Sequence, residues 1–359
     1  MRELVAETMI CHAEIAAATM KMCDEHADFR LPDERDGEWR FRVHFGSMIL
    51  EQRDEGLKVR VSAEDETTLS YMKMGVAGHM ERYLGSTECI RWQGDGCGSE
   101  KPVFFREISV VSAEQLTPHM RRLRFSARDI GRFAYGGIHL RLLFPPQGRE
   151  PVWPKMGPDG LIKWPQGDDA LIVRIYTIRD INPAEGWFDV DFVMHPGLDT
   201  PAAKFAQSAE PGDVIGMYGP GGEYLPGGHH LLMLGDDTAI PAISRILGYL
   251  PEGRSADVWI EVDGPEDVVP LTSDKAAIRW LFRKGRPAGT AGLLSEALCK
   301  IDRSSLPEDT FVWAGCEFND FKKIRRIVRK EWATPKDRQL VIAYWRRGAQ
   351  GDDARSEAA

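Results

Sequence analysis

No run of eighteen apolar residues occurs in this 359-residue chain, so no segment is long enough to cross a bilayer as a helix. No Cys-x-x-Cys pair is present either. The six cysteines (Cys11, Cys23, Cys89, Cys97, Cys299 and Cys316) show no spacing suited to zinc or an iron–sulfur cluster. Any redox chemistry therefore needs an added cofactor. An excess of positive charge is missing too. With 46 basic against 55 acidic residues, the net charge of −9 argues against nucleic acid as a main partner. The opening residues Met1–Glu7 are too acidic and too weakly apolar for a signal peptide, and the chain reads as cytoplasmic.

The remaining composition, 43% hydrophobic and 28% charged, is that of a globular protein with two or three domains. Residues 1–93 read as a small α+β domain. Helical spacing from His12 to His26 is followed by period-two strands around Trp39–His44, Met48–Gln52 and Leu57–Val61. Ser62–Glu66 caps a second helix carrying Leu69, Met72, Val76, Met80 and Tyr83. Residues 94–102 read as a flexible Gly-rich linker.

Residues 103–228 carry short strands divided by Gly/Pro turns: Glu107–Val111, Met120–Phe125, His139–Phe144, Ala170–Tyr176, Trp187–Val193 and Asp213–Gly216. Six such strands predict an antiparallel β-barrel. Within them Pro151–Asp169 reads as a loop with no element of its own. Residues 229–348 alternate strand and helix, which predicts a parallel, Rossmann-like α/β sheet. Residues 349–359 read as a flexible tail. The expected fold class is multidomain, α+β followed by barrel and α/β.

The most informative motif is Arg174-Ile175-Tyr176-Thr177-Ile178-Arg179. Strand alternation puts Arg174, Tyr176 and Ile178 on one face, with Thr177 and Arg179 on the other. A planar aromatic, a hydroxyl and two guanidiniums suit a flavin dinucleotide: Tyr176 to stack, Thr177 to hydrogen-bond near the redox edge, the arginines to clamp phosphate. Downstream, the strand ending at His195 leads to Asp199-Thr200-Pro201-Ala202-Ala203, a capped helix start of the kind that meets anions. Strand Leu231–Leu234 runs into Gly235-Asp236-Asp237-Thr238, a turn that aims backbone N–H groups at a nucleotide phosphate.

The order of these motifs closely resembles the siderophore-interacting proteins, which are FAD-containing ferric-siderophore reductases of the ferredoxin-reductase-like superfamily. The same order includes Asp191-Phe192-Val193-Met194-His195, Gly219-Pro220-Gly221-Gly222, Trp313-Ala314-Gly315-Cys316-Glu317 and Ala343-Tyr344-Trp345-Arg346-Arg347-Gly348. Leu4–Trp92 resembles a small uncharacterised α+β domain found alone or fused to such reductases. The resemblance implies that Arg174, Tyr176, Thr177, Arg179 and His195 hold FAD, with Thr200, Ala202 and Ala203 at its pyrophosphate. It implies that Gly235, Asp236, Asp237, Thr238 and Glu317 line the site of the NADH or NADPH donor. It also implies that Arg141 faces the open side of the flavin, toward a ferric siderophore; Arg346 and Arg347, which follow a sheet strand's carboxyl end, are the further candidates to meet such an anion. Two departures stand out: Thr200-Pro201-Ala202-Ala203 replaces the family's usual Gly-Pro-Ala-Ser, and Cys316 replaces a common glycine.

Glu261, at the end of the second sheet strand, is placed to meet ribose hydroxyls and leans toward NADH; no basic 2′-phosphate site is obvious, with Arg245 and Arg283 left open. The expected activity is NAD(P)H-dependent reduction of a ferric siderophore, with Tyr176 and Thr177 nearest the chemistry. The alternatives are a flavin-dependent reductase for a quinone or redox protein, and a non-catalytic siderophore-binding protein. Membrane insertion is not expected. A homodimer or protein contact through the first domain stays open.

Overall fold

In the computed structural model, which describes residues 2–32, 35–135, 137–194, 200–221, 226–271 and 273–349, Leu57, Val59 and Val61 are fully buried while Arg60 between them is exposed. That period of two builds an antiparallel sheet from β1 (Leu4–Ile10), β2 (Glu38–Val43), β3 (Gly46–Arg53) and β4 (Gly56–Ala63). The order is Arg30–Leu31, β2, β3, β4, β1, Gln93–Gly94. Sequence reading did not anticipate β1, yet it pairs along its whole length with β4, from Leu4 opposite Ala63 to Ile10 opposite Leu57. The helices are α1 (Ile15–Glu25) and α2 (Glu66–Leu84). Asp65 caps α2 by accepting the N–H groups of Thr67 and Thr68 at 2.8 and 2.9 Å.

Part of the stretch expected as a linker is pinned. Gly94 pairs with Ala6, and the Asp95 carboxylate accepts the Val5 N–H at 2.9 Å. Pro146–Leu171 belongs to the same compact unit as Met1–Phe105. Contrary to expectation it carries a small hairpin, Lys155–Met156 against Ile162–Lys163. Its turn is held from afar: the Trp92 indole donates to the Asp159 carbonyl at 2.9 Å, and Thr87 to the Asp159 carboxylate at 2.7 Å. Partners some 70 positions away are invisible to a local reading of the chain.

The second unit comprises Arg106–Pro145 and Ile172–Ala359. Its antiparallel strands are β5 (Phe105–Thr117), β6 (Met120–Ser126), β7 (His139–Phe144), β8 (Ile172–Thr177), β9 (Asp180–Asn182), β10 (Trp187–Val193) and β11 (Val214–Gly221). They order as β8, β7, β11, β5, β6, β10, β9. Tyr176 on edge strand β8 meets Phe192 of β10 with ring centroids 4.5 Å apart, so the sheet curls into a barrel around Leu123, Phe125, Leu142, Phe188 and Phe192.

The rest of that unit is a parallel sheet of β12 (His230–Gly235), β13 (Ser255–Val262), β14 (Ala276–Phe282), β15 (Phe311–Glu317) and β16 (Gln339–Trp345), in the order β14, β13, β12, β15, β16. Alternate residues of β12 face opposite ways. Leu231 and Met233 pack with Ile243 and Ile246 of one helix, while Leu232 and Leu234 pack with Leu298 and Ile324 of two others. These helices are α4 (Ile240–Gly248), α5 (Leu293–Cys299) and α6 (Phe318–Arg326), and α3 (Pro201–Ser208) belongs to the barrel. The strand order reverses between β12 and β15, which opens a crevice at their carboxyl ends. No described helix is long and apolar enough to cross a membrane.

Candidate functional site

Gly235 closes β12 at a point where a Cβ would lie 2.6 Å from the Ala239 Cβ and 2.7 Å from the Ile243 side chain. Only glycine lets α4 approach the strand end so closely. The next residue, Asp236, is buried and accepts four donors: the Thr238 N–H at 3.0 Å, the Thr238 hydroxyl at 2.5 Å, the Glu317 N–H at 2.9 Å and the Trp345 indole at 2.8 Å. Its carboxylate therefore ties together the ends of β12, β15 and β16. Asp237 is buried against Arg283 at 2.7 Å, and burial pushes its carboxyl up to about 7. Glu317 accepts the Asn319 N–H at 2.5 Å and the Arg347 N–H at 3.2 Å, which fixes the start of α6 and the chain beyond β16. These three carboxylates organise the crevice from beneath. Thr238 alone of the turn faces the adjoining cavity.

That cavity, about 300 Å³, joins three parts of the chain. The barrel contributes His139, Arg174, Tyr176, Thr177 and Thr200, the turn and α4 contribute Thr238 and Pro241, and the chain leaving β16 contributes Tyr344 to Ala349. Thr200 caps α3, accepting the Ala203 N–H at 3.3 Å, with Pro201 following it. Ala202 is buried in the barrel core. Arg174, Arg346 and Arg347 bring three cations to the walls, and the one carboxylate among the described lining residues, Asp191, is already held by both arms of Arg122 at 2.7 and 2.9 Å. The cavity thus favours an anion with a planar part beside Tyr176, whose hydroxyl burial pushes above the ordinary phenol range.

His195 lies outside the described residues, as do Gly222 of the Gly-Pro-Gly-Gly turn and the tail from residue 350. Arg179 does not line the cavity. It sits 4.0 Å from Asp191, and its Nε is buried without a hydrogen-bond partner. Arg141 is exposed on β7, two residues beyond His139 and on the same strand face. Arg346 lies in the wall with its guanidinium 4.7 Å from the Phe318 ring centroid. Arg347 also borders a second, more polar cavity of about 650 Å³ with Asn319, Lys322 and Lys323. Cys316 is fully buried in the core beside α6, where burial raises its thiol well above the ordinary range. It lines neither cavity.

Glu261 and Arg283 are likewise internal, 3.7 Å apart and both buried. Arg245 donates to barrel carbonyls of Ile178 and Phe133 at 3.0 and 3.3 Å. None of the three is placed on the surface to read a ribose or its phosphate. On its strand His139 sits beside Arg141 as either a substrate-side residue or a structural histidine, and its contacts decide its place. Its Nδ1 is 3.1 Å from the Thr177 hydroxyl and its Nε2 is 3.2 Å from the Tyr344 hydroxyl. No local signal links positions 139, 177 and 344; the sheet register does, by setting Thr177 opposite His139.

Two family models match the chain: the siderophore-interacting FAD-binding domain over residues 109–224 and the siderophore-interacting protein over residues 228–348. The ferric vibriobactin reductase ViuB of Vibrio cholerae is 28% identical over 252 residues, which are 68% of this chain and 91% of that protein. The ferric acinetobactin reductase of Acinetobacter baumannii is 31% identical over 185 residues, 51% of this chain and 63% of that one. A crystal structure of a siderophore utilization protein from T. fusca matches with a TM-score of 0.60 at 30% identity, covering 72% of this chain and 98% of the other. The first 108 residues fall outside both family models.

Proposed function

Because the chain belongs to the siderophore-interacting protein family, we propose that it is an NAD(P)H-dependent ferric-siderophore reductase. It is an FAD-dependent oxidoreductase by that membership. The substrate and donor are our reading, and the cationic cavity shared by barrel and parallel sheet supports it most strongly.

The residues present suit FAD. Tyr176 offers a ring, the start of α3 offers the Ala202 N–H, and the orphaned Nε of Arg179 calls for an acceptor. When bound, FAD supplies the conversion of a two-electron donor into the single electrons that Fe(III) accepts. Tyr176 and Thr177 would flank its ring. Thr177 is oriented by His139, which is oriented in turn by Tyr344, so this hydroxyl is fixed before any ligand arrives. Arg174, Thr200, Ala202 and Ala203 would hold its phosphates, with Arg179 behind them. The turn from Gly235 to Thr238 would seat the nicotinamide nucleotide, held open by Asp236, Asp237 and Glu317 from below. Arg346 and Arg347 would draw the anionic ferric chelate, with Arg141 on the exposed barrel face.

Siderophores hold Fe(II) far more weakly than Fe(III), so reduction frees the metal without acid–base chemistry from the protein. The same reading sets the reaction in the cytoplasm, where NADH and NADPH are at hand. An absorbance spectrum tests it. Oxidised-flavin bands should bleach with anaerobic NADH or NADPH and return on adding a ferric siderophore. A flavin-loaded protein that bleaches but never reoxidises with any ferric chelate would sink the substrate assignment.

A further inference from the structure

Glu25 ends α1, His26 follows it directly, and His79 lies on α2. The His26 Nδ1 is 3.0 Å from the Met22 carbonyl oxygen, and the His79 Nδ1 is 2.6 Å from the Gly75 carbonyl oxygen. A carbonyl can only accept, so each Nδ1 carries its proton. Each neutral ring then keeps its lone pair on Nε2. Imidazoles that bind metals are commonly held this way, with the far N–H on a carbonyl that fixes ring and tautomer. The two rings lie 4.8 Å apart, the His79 Nε2 is 3.5 Å from the Glu25 Oε2, and one ligand atom from each residue fits within a 4.8 Å span.

We propose that Glu25, His26 and His79 form a site for a first-row divalent metal ion and, on the reductase reading above, that its occupant is Fe(II). Two imidazole nitrogens and one carboxylate suit Fe(II), Co(II), Ni(II) or Zn(II) rather than the all-oxygen cations, and they leave positions open for water. Ligands about 2.1 Å from one ion stand roughly 3 to 3.5 Å apart. The site closes to that spacing by side-chain rotation, since the Glu25 side chain is half-exposed. Arg82 lies 3.4 Å from the same Glu25 oxygen, and its exposed guanidinium must turn away when the metal enters. Ferrous ion is what the proposed reaction sets free, and the two family models leave this first domain unassigned. The competing explanation is an ion-pair tie between α1 and α2, which needs no metal.

Anaerobic titration of the full-length protein with Fe(II), and with Co(II) as its spectroscopic stand-in, tests the site. One equivalent should bind. Co(II) should give visible bands typical of nitrogen and oxygen ligands, and should broaden the His26 and His79 ring signals in proton NMR of the unaltered protein. His26→Ala and His79→Ala should each weaken binding at least about tenfold, and Glu25→Gln should weaken it less. No uptake, a thiolate charge-transfer band, or broadening of other histidines would overturn the proposal. Failure of the reductase reading would look different: Co(II) would bind here while ferric chelates stayed oxidised.

Discussion

The Nε2 of His139 and the hydroxyl of Tyr344 lie 3.2 Å apart, joining a barrel strand to the last strand of the parallel sheet. The other ring nitrogen of His139 reaches Thr177, so one imidazole spans the cavity wall between the two halves of the unit. Tyr344→Phe removes one hydrogen bond and keeps the ring contact at 5.5 Å. Urea unfolding should show a loss of about 1 kcal/mol. Combined with Thr177→Val, the losses should depart from additivity by about 0.5 kcal/mol or more. Strictly additive losses would mean that the three groups do not act as a network.

Arg346→Gln should raise KM for an anionic ferric siderophore about tenfold, the worth of one charge-assisted contact, and leave kcat within about twofold. The rise of KM with added salt should flatten in the variant. If KM and its salt dependence match those of the unaltered protein, Arg346 serves only to pack on Phe318.

Burial drives Asp237 and Glu261 up to about 7 from ordinary values of 3.8 and 4.5. For Glu261 the neighbouring Asp236 and Asp320 add to burial, while Arg283 opposes it. Between about pH 4 and 7 the folded protein then holds more protons at this cluster than the unfolded chain does. The cluster's contribution to stability is therefore greatest below the unfolded values and is lost as pH rises to about 7. Glu261→Gln should remove part of that slope, so the variant gains on the unaltered protein as pH rises through this window. A stability difference independent of pH from 4 to 7 would contradict the assignment.

Gly235→Ala sets a methyl group 2.6 Å from the Ala239 Cβ. Overpacking of this kind costs about 1 to 3 kcal/mol, and thermal unfolding should move to lower temperature. Displacement of α4 should also weaken binding of the pyridine nucleotide. An unchanged Tm would show that the strand–helix approach is looser than the packing implies.

The thiols offer a check on packing. Cys11 and Cys299 are exposed, whereas Cys23 and Cys316 are buried. Alkylation of the native protein followed by peptide mass spectrometry should label the first two and spare the second two until denaturant is added. Rapid native labelling of Cys316 would contradict its burial beside α6.

Much of the fold was legible because it rests on short-range periodicity. The alternation in Leu57–Val61 and the strand–Gly–helix passage at Gly235 are written locally, and both formed as expected. β1 is not marked locally because its pairing partners on β4 lie 47 to 59 residues away. The hairpin within Pro146–Leu171 escaped for a similar reason, since Trp92 and Thr87 hold it.

The candidate site divides along the same line. Residue types and their order were enough to single out Arg174, Tyr176, Thr177, Thr200, Thr238, Arg346 and Arg347, and folding gathers these seven around one cavity. The sequence could not say that Asp236, Asp237 and Glu317 turn their carboxylates inward to brace the crevice, nor that Arg245 and Glu261 are spent on internal contacts. It could not pair His26 with His79 either. Chemical type and spacing are properties of the chain, and they determine which ligands its residues suit. Which polar group meets a ligand and which meets another side chain is decided by burial, because a charge taken out of water must find a partner wherever the fold has left it.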